Sequence, residues 1–403
     1  MNQHSSQLLM LREARNRSDQ FFRSLAPGAL YERAVAERHR FIFYLGHLEA
    51  FDWNLLAVGQ LGTKPFREDW DRLFAFGIDP ESTDLPTDSP SDWPAESDVR
   101  AYASCVRTRL DAEEDRIDPQ FLQVAVEHRL MHLETLAYLL HNLPYQLKNG
   151  VDEPTGTSRP TPQNSLIAVS AGEVTLGQQP GRFGWDNEFA QHRRTVSAFE
   201  IQQHKVSNGE YLDFVREGAP APHFWNKSSE GWRLRCMFSE IALPLDWPVY
   251  VTHQEAVAYS SWKGMRLPTE AEYHRAAFGS PSGIEREFPW GDSEPTASEG
   301  NFDFHRWNPC PVDWSPAGTS AFGISQLVGN GWEWTGTPFS PFEGFAAFPF
   351  YPGYSANFFD GKHFVLKGGS PRTAAQLLRR SFRNWFRGEY AYAFAGFRCV
   401  SGD

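Results

Sequence analysis

Residues 119–143 read PQFLQVAVEHRLMHLETLAYLLHNL. Apolar side chains recur there at spacings of three and four until Pro144 stops the pattern, which predicts an amphipathic helix with one buried face. Working outward, 33–60 (RAVAERHRFIFYLGHLEAFDWNLLAVGQ) repeats the period, and 7–24 and 97–116 are two further helical segments. The stretch TDLPTDSPSDWPAESD clusters Pro, Ser and Asp and reads as a surface loop. Four helices of this length predict an up-and-down bundle over residues 1–148.

The same helices bring imidazoles together. In HRLMHLE, His128 and His132 stand four apart, so they stack on one helix face about one turn from each other. An isolated pair of this kind is ordinarily two unliganded histidines, and a metal needs more donors. His47, in FYLGHLEAFDWN, sits mid-helix among apolar residues and is the candidate third ligand from a neighbouring helix. Glu127, Glu134 and Glu49 fit solvated or ion-paired roles equally well. Imidazole donors suit Fe, Cu, Zn or Ni without choosing among them.

The whole chain has 403 residues, 41% of them hydrophobic and 22% charged, with a formal net charge of −12. At roughly 150 residues per domain that length predicts two or three domains, and the acidic balance argues against nucleic acid or anionic membranes as partners. No apolar run reaches the ~18 residues that a bilayer crossing needs, and the start MNQHSSQLLMLREARNRSDQ lacks the order of a signal peptide. A cytoplasmic protein acting on small molecules is expected. Cys105, Cys236, Cys310 and Cys399 form no CxxC pair, so neither a zinc-thiolate site nor a disulfide framework is indicated.

Residues 151–403 hold 11 of the 14 Trp and 26 of the 32 Gly, which marks a change of architecture near 150. GVDEPTGTSRPTPQN reads as a linker, assigned to 149–164, followed by a domain over 165–403. Beyond it the helical period fades, except in 208–216 and 268–277. Five segments follow in order: GMRLPTEAEYH (264–274), FPWGD (288–292), FGISQLVGNGWEWT (322–335), LKGGS (366–370) and GFR (396–398). Singly, each is a turn or strand end with a bulky anchor. Together they resemble the sulfatase-modifying-factor domain, the C-type-lectin-like fold of the formylglycine-generating enzymes. The helical part resembles the DinB-like four-helix bundle. The pair in this order resembles the EgtB-type non-haem iron sulfoxide synthases of ergothioneine biosynthesis, and the fold class it implies is α+β.

That resemblance implies Fe(II) held by His47, His128 and His132, with O2 as co-substrate and Glu134 supporting the ligands. It implies that a thiol sulfur joins C2 of the imidazole of hercynine (Nα-trimethylhistidine), with one oxygen ending on sulfur. In PFYPGYSANFF it assigns Tyr351 as the catalytic acid and Tyr354 as a neighbour orienting substrate. SFRNWF matches the stretch that lines the substrate pocket, where Asn384 and Trp385 would face the trimethylammonium group. Arg379, Arg380 and Arg383 are nearby cations for a substrate carboxylate, at least one of them expected in a structural ion pair. Histidine trio, tyrosines and RNW segment are expected to converge where the domains meet.

Two positions depart from the family's pattern. Phe386 stands where an acidic residue often follows the tryptophan, and Met131 stands where a glutamine precedes the second motif histidine. Loop 78–100 offers no match to the arginines that grip a γ-glutamyl carboxylate. The donor is therefore open among cysteine, γ-glutamylcysteine and a selenium compound, as in selenoneine synthases, and the acceptor between hercynine and histidine, as in ovothiol-type synthases. Formylglycine generation needs a pair of active-site cysteines near the C-terminus, where only Cys399 lies. A zinc- or nickel-dependent thiol transferase leaves the second domain without a role, and a lectin-like binding module leaves the three histidines unexplained.

Overall fold

The computed structural model describes residues 3–75, 85–153, 159–314 and 316–401. It divides into two compact units, Met1–Val151 and Asp152–Asp403.

The first unit is helical: α1 (Gln3–Arg23), α2 (Phe41–Asp52), the short α3 (Glu68–Leu73), α4 (Glu96–Asp111) and α5 (Pro119–Asn142). Helix α1 packs along α5 and α2 along α4, and α2 also meets α5. Asp118 caps α5 by accepting the Gln120 amide at 2.7 Å, with Pro119 in the first turn. Sixteen of the 24 residues of α5 are buried, Glu127, His128, Arg129 and His132 included. Among the described residues no helix is long and apolar enough to cross a membrane.

Helix α2 differs from its expected extent. It begins at Phe41 rather than at residue 33, because Arg33 and Arg40 are both drawn to Asp88, Arg40 Nε at 2.9 Å, which turns the chain before the helix. Its C-terminal continuation, Trp53–Gln60, widens into a π-helix. The part of loop 78–100 before residue 85 lies outside the described residues.

Among the described residues the second unit holds short strands and three α-helices. In chain order they are β1 (Leu166–Val169), β2 (Gly172–Leu176), β3 (His192–Val196), β4 (Phe199–Gln202), α6 (Asn208–Arg216), β5 (Trp225–Ser228), β6 (Gly231–Arg235), β7 (Glu240–Ala242), α7 (His253–Trp262), α8 (Glu270–Phe278), β8 (Trp332–Pro338), β9 (His363–Lys367), β10 (Asn384–Arg387), β11 (Ala395–Gly396) and β12 (Val400–Ser401). The strands form small sheets ordered β1-β4-β12, β2-β3, β5-β6-β7 and β10-β9-β8-β11, with β11 parallel to β8. Each helix opens on a capping box: Ser207 with Glu210, Thr252 with Glu255, Thr269 with Glu272. A core of Val169, Val174, Ile201, Tyr273, Phe278, Ile324, Leu327 and Val400 packs α8 against β1, β2, β4 and β12.

Linker-like composition does not keep Asp152, Glu153 and Arg159 free of the second unit. Asp152 accepts the Phe238 amide at 3.1 Å and the Ser239 hydroxyl at 2.6 Å, Glu153 accepts the Trp307 amide at 2.7 Å, and Arg159 pairs with Asp246 at 2.9 Å. At the unit's centre Glu333 accepts from Lys205 at 2.7 Å and from Arg398 at 2.6 and 2.9 Å, all three side chains fully buried.

Candidate active site

Helices α2 and α5 bring His47, His128 and His132 together. Their candidate ligand nitrogens lie within 4.8 Å of one another. The Nε2 atoms of His47 and His132 are 3.1 Å apart, as are those of His132 and His128. Each residue is at most 3% exposed. The His47 Nδ1–H donates to the Phe74 carbonyl at 2.6 Å. That bond fixes the tautomer and leaves the His47 Nε2 lone pair facing the cluster. Phe74 approaches so closely because position 46 is glycine: a Cβ there would stand 2.5 Å from the Phe74 ring. Phe51 stacks on His128 with ring centroids 3.4 Å apart and planes 8° apart, and Phe43 stacks on His47 at 4.9 Å.

Burial dominates the electrostatics. It pulls the His47 pKa down to about 4 and holds those of His128 and His132 well below the usual value. All three are therefore neutral at pH 7, the form in which imidazole binds a metal. One proton on His132 Nε2 cannot give good hydrogen bonds to both neighbours, so at least one lone pair faces another ring nitrogen. A divalent cation of the borderline class satisfies all three lone pairs at once, and the donor set fits one.

Behind the histidines lies a buried ionic network. Arg129 donates to Glu49 at 2.9 Å, to Asp52 at 2.7 Å and to the Leu48 carbonyl at 3.0 Å, and Arg107 reaches Glu49 at 2.7 Å. Burial alone would raise the Glu49 pKa, but Arg129 and Arg107 outweigh it and bring it down to about 2. Glu49 is thus an ion-paired residue. Glu127 is buried and accepts from Gln123 at 3.0 Å, while Glu134 and Met131 are half-buried.

In the second unit Tyr351 is half-buried and Tyr354 buried, with ring centroids 5.6 Å apart. Tyr354 stacks on the fully buried Trp185 at 4.1 Å and meets Trp385 edge-on at 5.4 Å. Trp385 also stacks on Phe339 at 4.3 Å. Side chains alternate along β10, so Asn384 and Phe386 point to the face opposite Trp385, and Phe386 stacks on Tyr390 at 4.9 Å. Asn384 Oδ1 accepts the Trp385 amide at 2.9 Å.

The three arginines have acidic partners inside the unit, as expected of at least one of them. Arg383 is 2% exposed and is engaged by Glu270 at 3.0 Å and by the carbonyls of Ser340 at 3.0 Å and Asn187 at 3.2 Å. Arg379 is held by Glu188 at 2.9 Å, and Arg380 lies 3.7 Å from Glu285. A guanidinium already paired inside the fold is a poor receptor for a substrate carboxylate.

Sequence reasoning missed WDNE, residues 185–188, every one at most 1% exposed. Trp185 stacks on Tyr354, Asp186 accepts the Ser355 hydroxyl at 2.6 Å, the Asn187 carbonyl receives Arg383, and Glu188 receives Arg379 and the Ser381 hydroxyl at 2.7 Å. Four consecutive residues therefore hold both the tyrosine turn and the approach to β10. Its one local signal is an aromatic and two acids in a Gly-flanked stretch, which does not reveal distant partners.

Residues 153–402 match the family model for the sulfatase-modifying factor enzyme 1-like domain. Hercynine oxygenase of Mycolicibacterium smegmatis is 35% identical, over 75% of this chain and 77% of its own. Ergothioneine biosynthesis protein 1 of Neurospora crassa is 28% identical over 92% of this chain, which takes in the helical unit, and over 55% of its own length. Formylglycine-generating enzyme of Bos taurus is 29% identical over 44% of this chain and 59% of its own. The second unit is thus of the sulfatase-modifying-factor class. The chain as a whole belongs to the hercynine oxygenase family, and it is an enzyme of the oxidoreductase class.

Proposed function

We propose that the protein is an ergothioneine-type sulfoxide synthase, using Fe(II) and O2 to join a cysteine-type thiol to C2 of the hercynine imidazole. The observation that carries this reading is the convergence of three neutral, buried imidazoles, their Nε2 atoms facing one another, in a hercynine oxygenase relative. The overall change balances as thiol plus imidazole C–H plus O2 giving sulfoxide plus water. Oxygen takes four electrons, two released as the carbon–sulfur bond replaces S–H and C–H, and two from sulfur as it gains one oxygen.

Bound iron supplies the redox chemistry that brings thiol and O2 together. The chain's own residues do the rest. His47, His128 and His132 hold the cation, and the Phe74 carbonyl holds His47 in the ligating tautomer. Phe51 and Phe43 keep water from the rings. Tyr351 delivers and recovers a proton through its hydroxyl, and Tyr354 with Trp385 offers aromatic faces to the substrate's quaternary ammonium. Phe386 and Met131 put apolar groups where the family reads polar atoms, and this keeps a selenium donor and a histidine acceptor as arms of the test. Formylglycine generation is disfavoured by the thiols: burial pushes both Cys310 and Cys399 up to about 12.

The test is product mass from anaerobically purified, Fe(II)-loaded protein given O2, hercynine and, in separate reactions, cysteine, γ-glutamylcysteine or a selenosugar. A hercynyl sulfoxide is expected. A selenium adduct alone changes the donor, an adduct only when histidine replaces hercynine changes the acceptor, and no adduct in any reaction despite bound iron overturns the reading. Tyr351→Phe is expected to keep iron and divert turnover toward simple thiol oxidation.

A further inference from the structure

We infer that Asp186 is a positioning residue for the turn 348–355, setting through Ser355 where the Tyr351 hydroxyl is presented. The inference deepens the reading of Tyr351 as proton donor and rests on it.

Pro352 and Gly353 at the tip of this turn are exposed, and Tyr351 is half-buried. Its backbone bonds are local, from the Tyr351 amide to the Phe348 carbonyl at 3.0 Å and from the Tyr354 amide to the Tyr351 carbonyl at 3.2 Å. Local bonds fix the shape of such a turn but leave its placement on the domain free. Part of that placement comes from two consecutive residues 160 and more positions upstream. Trp185 stacks on Tyr354 at 4.1 Å with planes 23° apart, and Asp186 accepts the fully buried Ser355 hydroxyl at 2.6 Å.

A carboxylate is a costly choice for a mere anchor. Asp186 is 1% exposed, among the described residues no cation is paired with it, and burial pushes its pKa up. An amide or hydroxyl would tether Ser355 at lower cost. What the carboxylate adds is a short, directional bond at a fixed point, which matters when the tethered group must deliver a proton within a few tenths of an ångström. Asp186 is itself fixed, since its neighbour Glu188 accepts the Trp185 amide at 2.8 Å and is clamped by Arg379 and Ser381.

The experiment compares Asp186→Asn, Ser355→Ala, Ser355→Thr, Tyr351→Phe and the double variant Asp186→Asn/Tyr351→Phe in the full-length, Fe(II)-loaded protein. Iron affinity, hercynine KM and the share of consumed thiol recovered joined to imidazole are read for each. Asp186→Asn and Ser355→Ala are expected to lower that share at least threefold while iron affinity and KM stay within twofold. Ser355→Thr, which keeps the hydroxyl, restores it, and the double variant is no worse than Tyr351→Phe alone. A share unchanged in Asp186→Asn but lowered in Tyr351→Phe overturns this inference and leaves the tyrosine reading intact. The same holds if the two substitutions multiply in the double variant. A share unchanged in Tyr351→Phe overturns the tyrosine reading and this inference with it.

Discussion

The two units bury charge in mirror-image ways. In the helical unit the fully buried cation Arg129 sits between two acids, Glu49 and Asp52, with the less buried Arg107 also reaching Glu49, whereas in the second unit one acid, Glu333, sits between two cations, Lys205 and Arg398. In the first case the partners come from adjacent turns of α2 and α5, so the network is a by-product of helices that also place the histidines. In the second they lie 65 and 128 residues from Glu333, and the network ties together segments that are far apart in the sequence. Local periodicity positions chemistry in one unit and long-range pairing does so in the other.

Breaking the helical site has the largest expected effect. His132→Ala removes the nitrogen that faces both other imidazoles, and iron binding should fall below detection in anaerobic titration while the far-ultraviolet circular dichroism stays helical. Retained iron at a stoichiometry near one would remove these histidines as ligands. Next in size are the two networks. Arg129→Met leaves Glu49 and Asp52 without their shared partner and should cost about 3–5 kcal/mol in denaturant unfolding. Glu333→Gln should cost a similar amount by stranding two cations. If only one of the pair destabilises, the mirror-image comparison fails for the other.

The same contrast explains what could be read in advance. His128 and His132 were legible because a spacing of four on a helix is itself geometry, and His47 because a histidine amid FYLG and LEAF stands out. The early end assigned to α2 was wrong because Arg33 and Arg40 answer to Asp88, some fifty residues away, which no local period encodes. Helix α7 was missed, yet its Thr252–Glu255 capping box is as plain in the sequence as the Thr269–Glu272 box of α8. The roles of Arg379 and Arg383 were illegible: sequence shows cations but not that Glu188 and Glu270 will meet them. WDNE lay deeper still, with partners 169 to 196 residues away.

Metal loading gives a middle-sized test of how separately the units respond. A cation at a hundredfold excess over its Kd stabilises the form that binds it by about 2.7 kcal/mol. Hydrogen exchange should therefore slow in peptides from α2 and α5 on adding Fe(II) anaerobically, with β8 and β9 unchanged. Equal slowing in both units would show that they respond as one.

The smallest effect reaches furthest into the histidine geometry. Gly46→Ala places a methyl 2.5 Å from the Phe74 ring, and since α2 is buried on both sides of position 46 the ring must move. The Phe74 carbonyl then leaves His47 Nδ1, the imidazole loses its fixed tautomer, and iron affinity should weaken about tenfold, as for other lost partners of a ligating histidine. Phe74→Leu in the same background relieves the clash and should recover part of that loss. Nitrogen chemical shifts of the His47 ring in the metal-free protein separate this account from general loosening. A shift toward Nε2–H in Gly46→Ala, reversed in the double variant, is expected, whereas weakened iron binding with the Nδ1–H tautomer intact would mean that Phe74 only fills space.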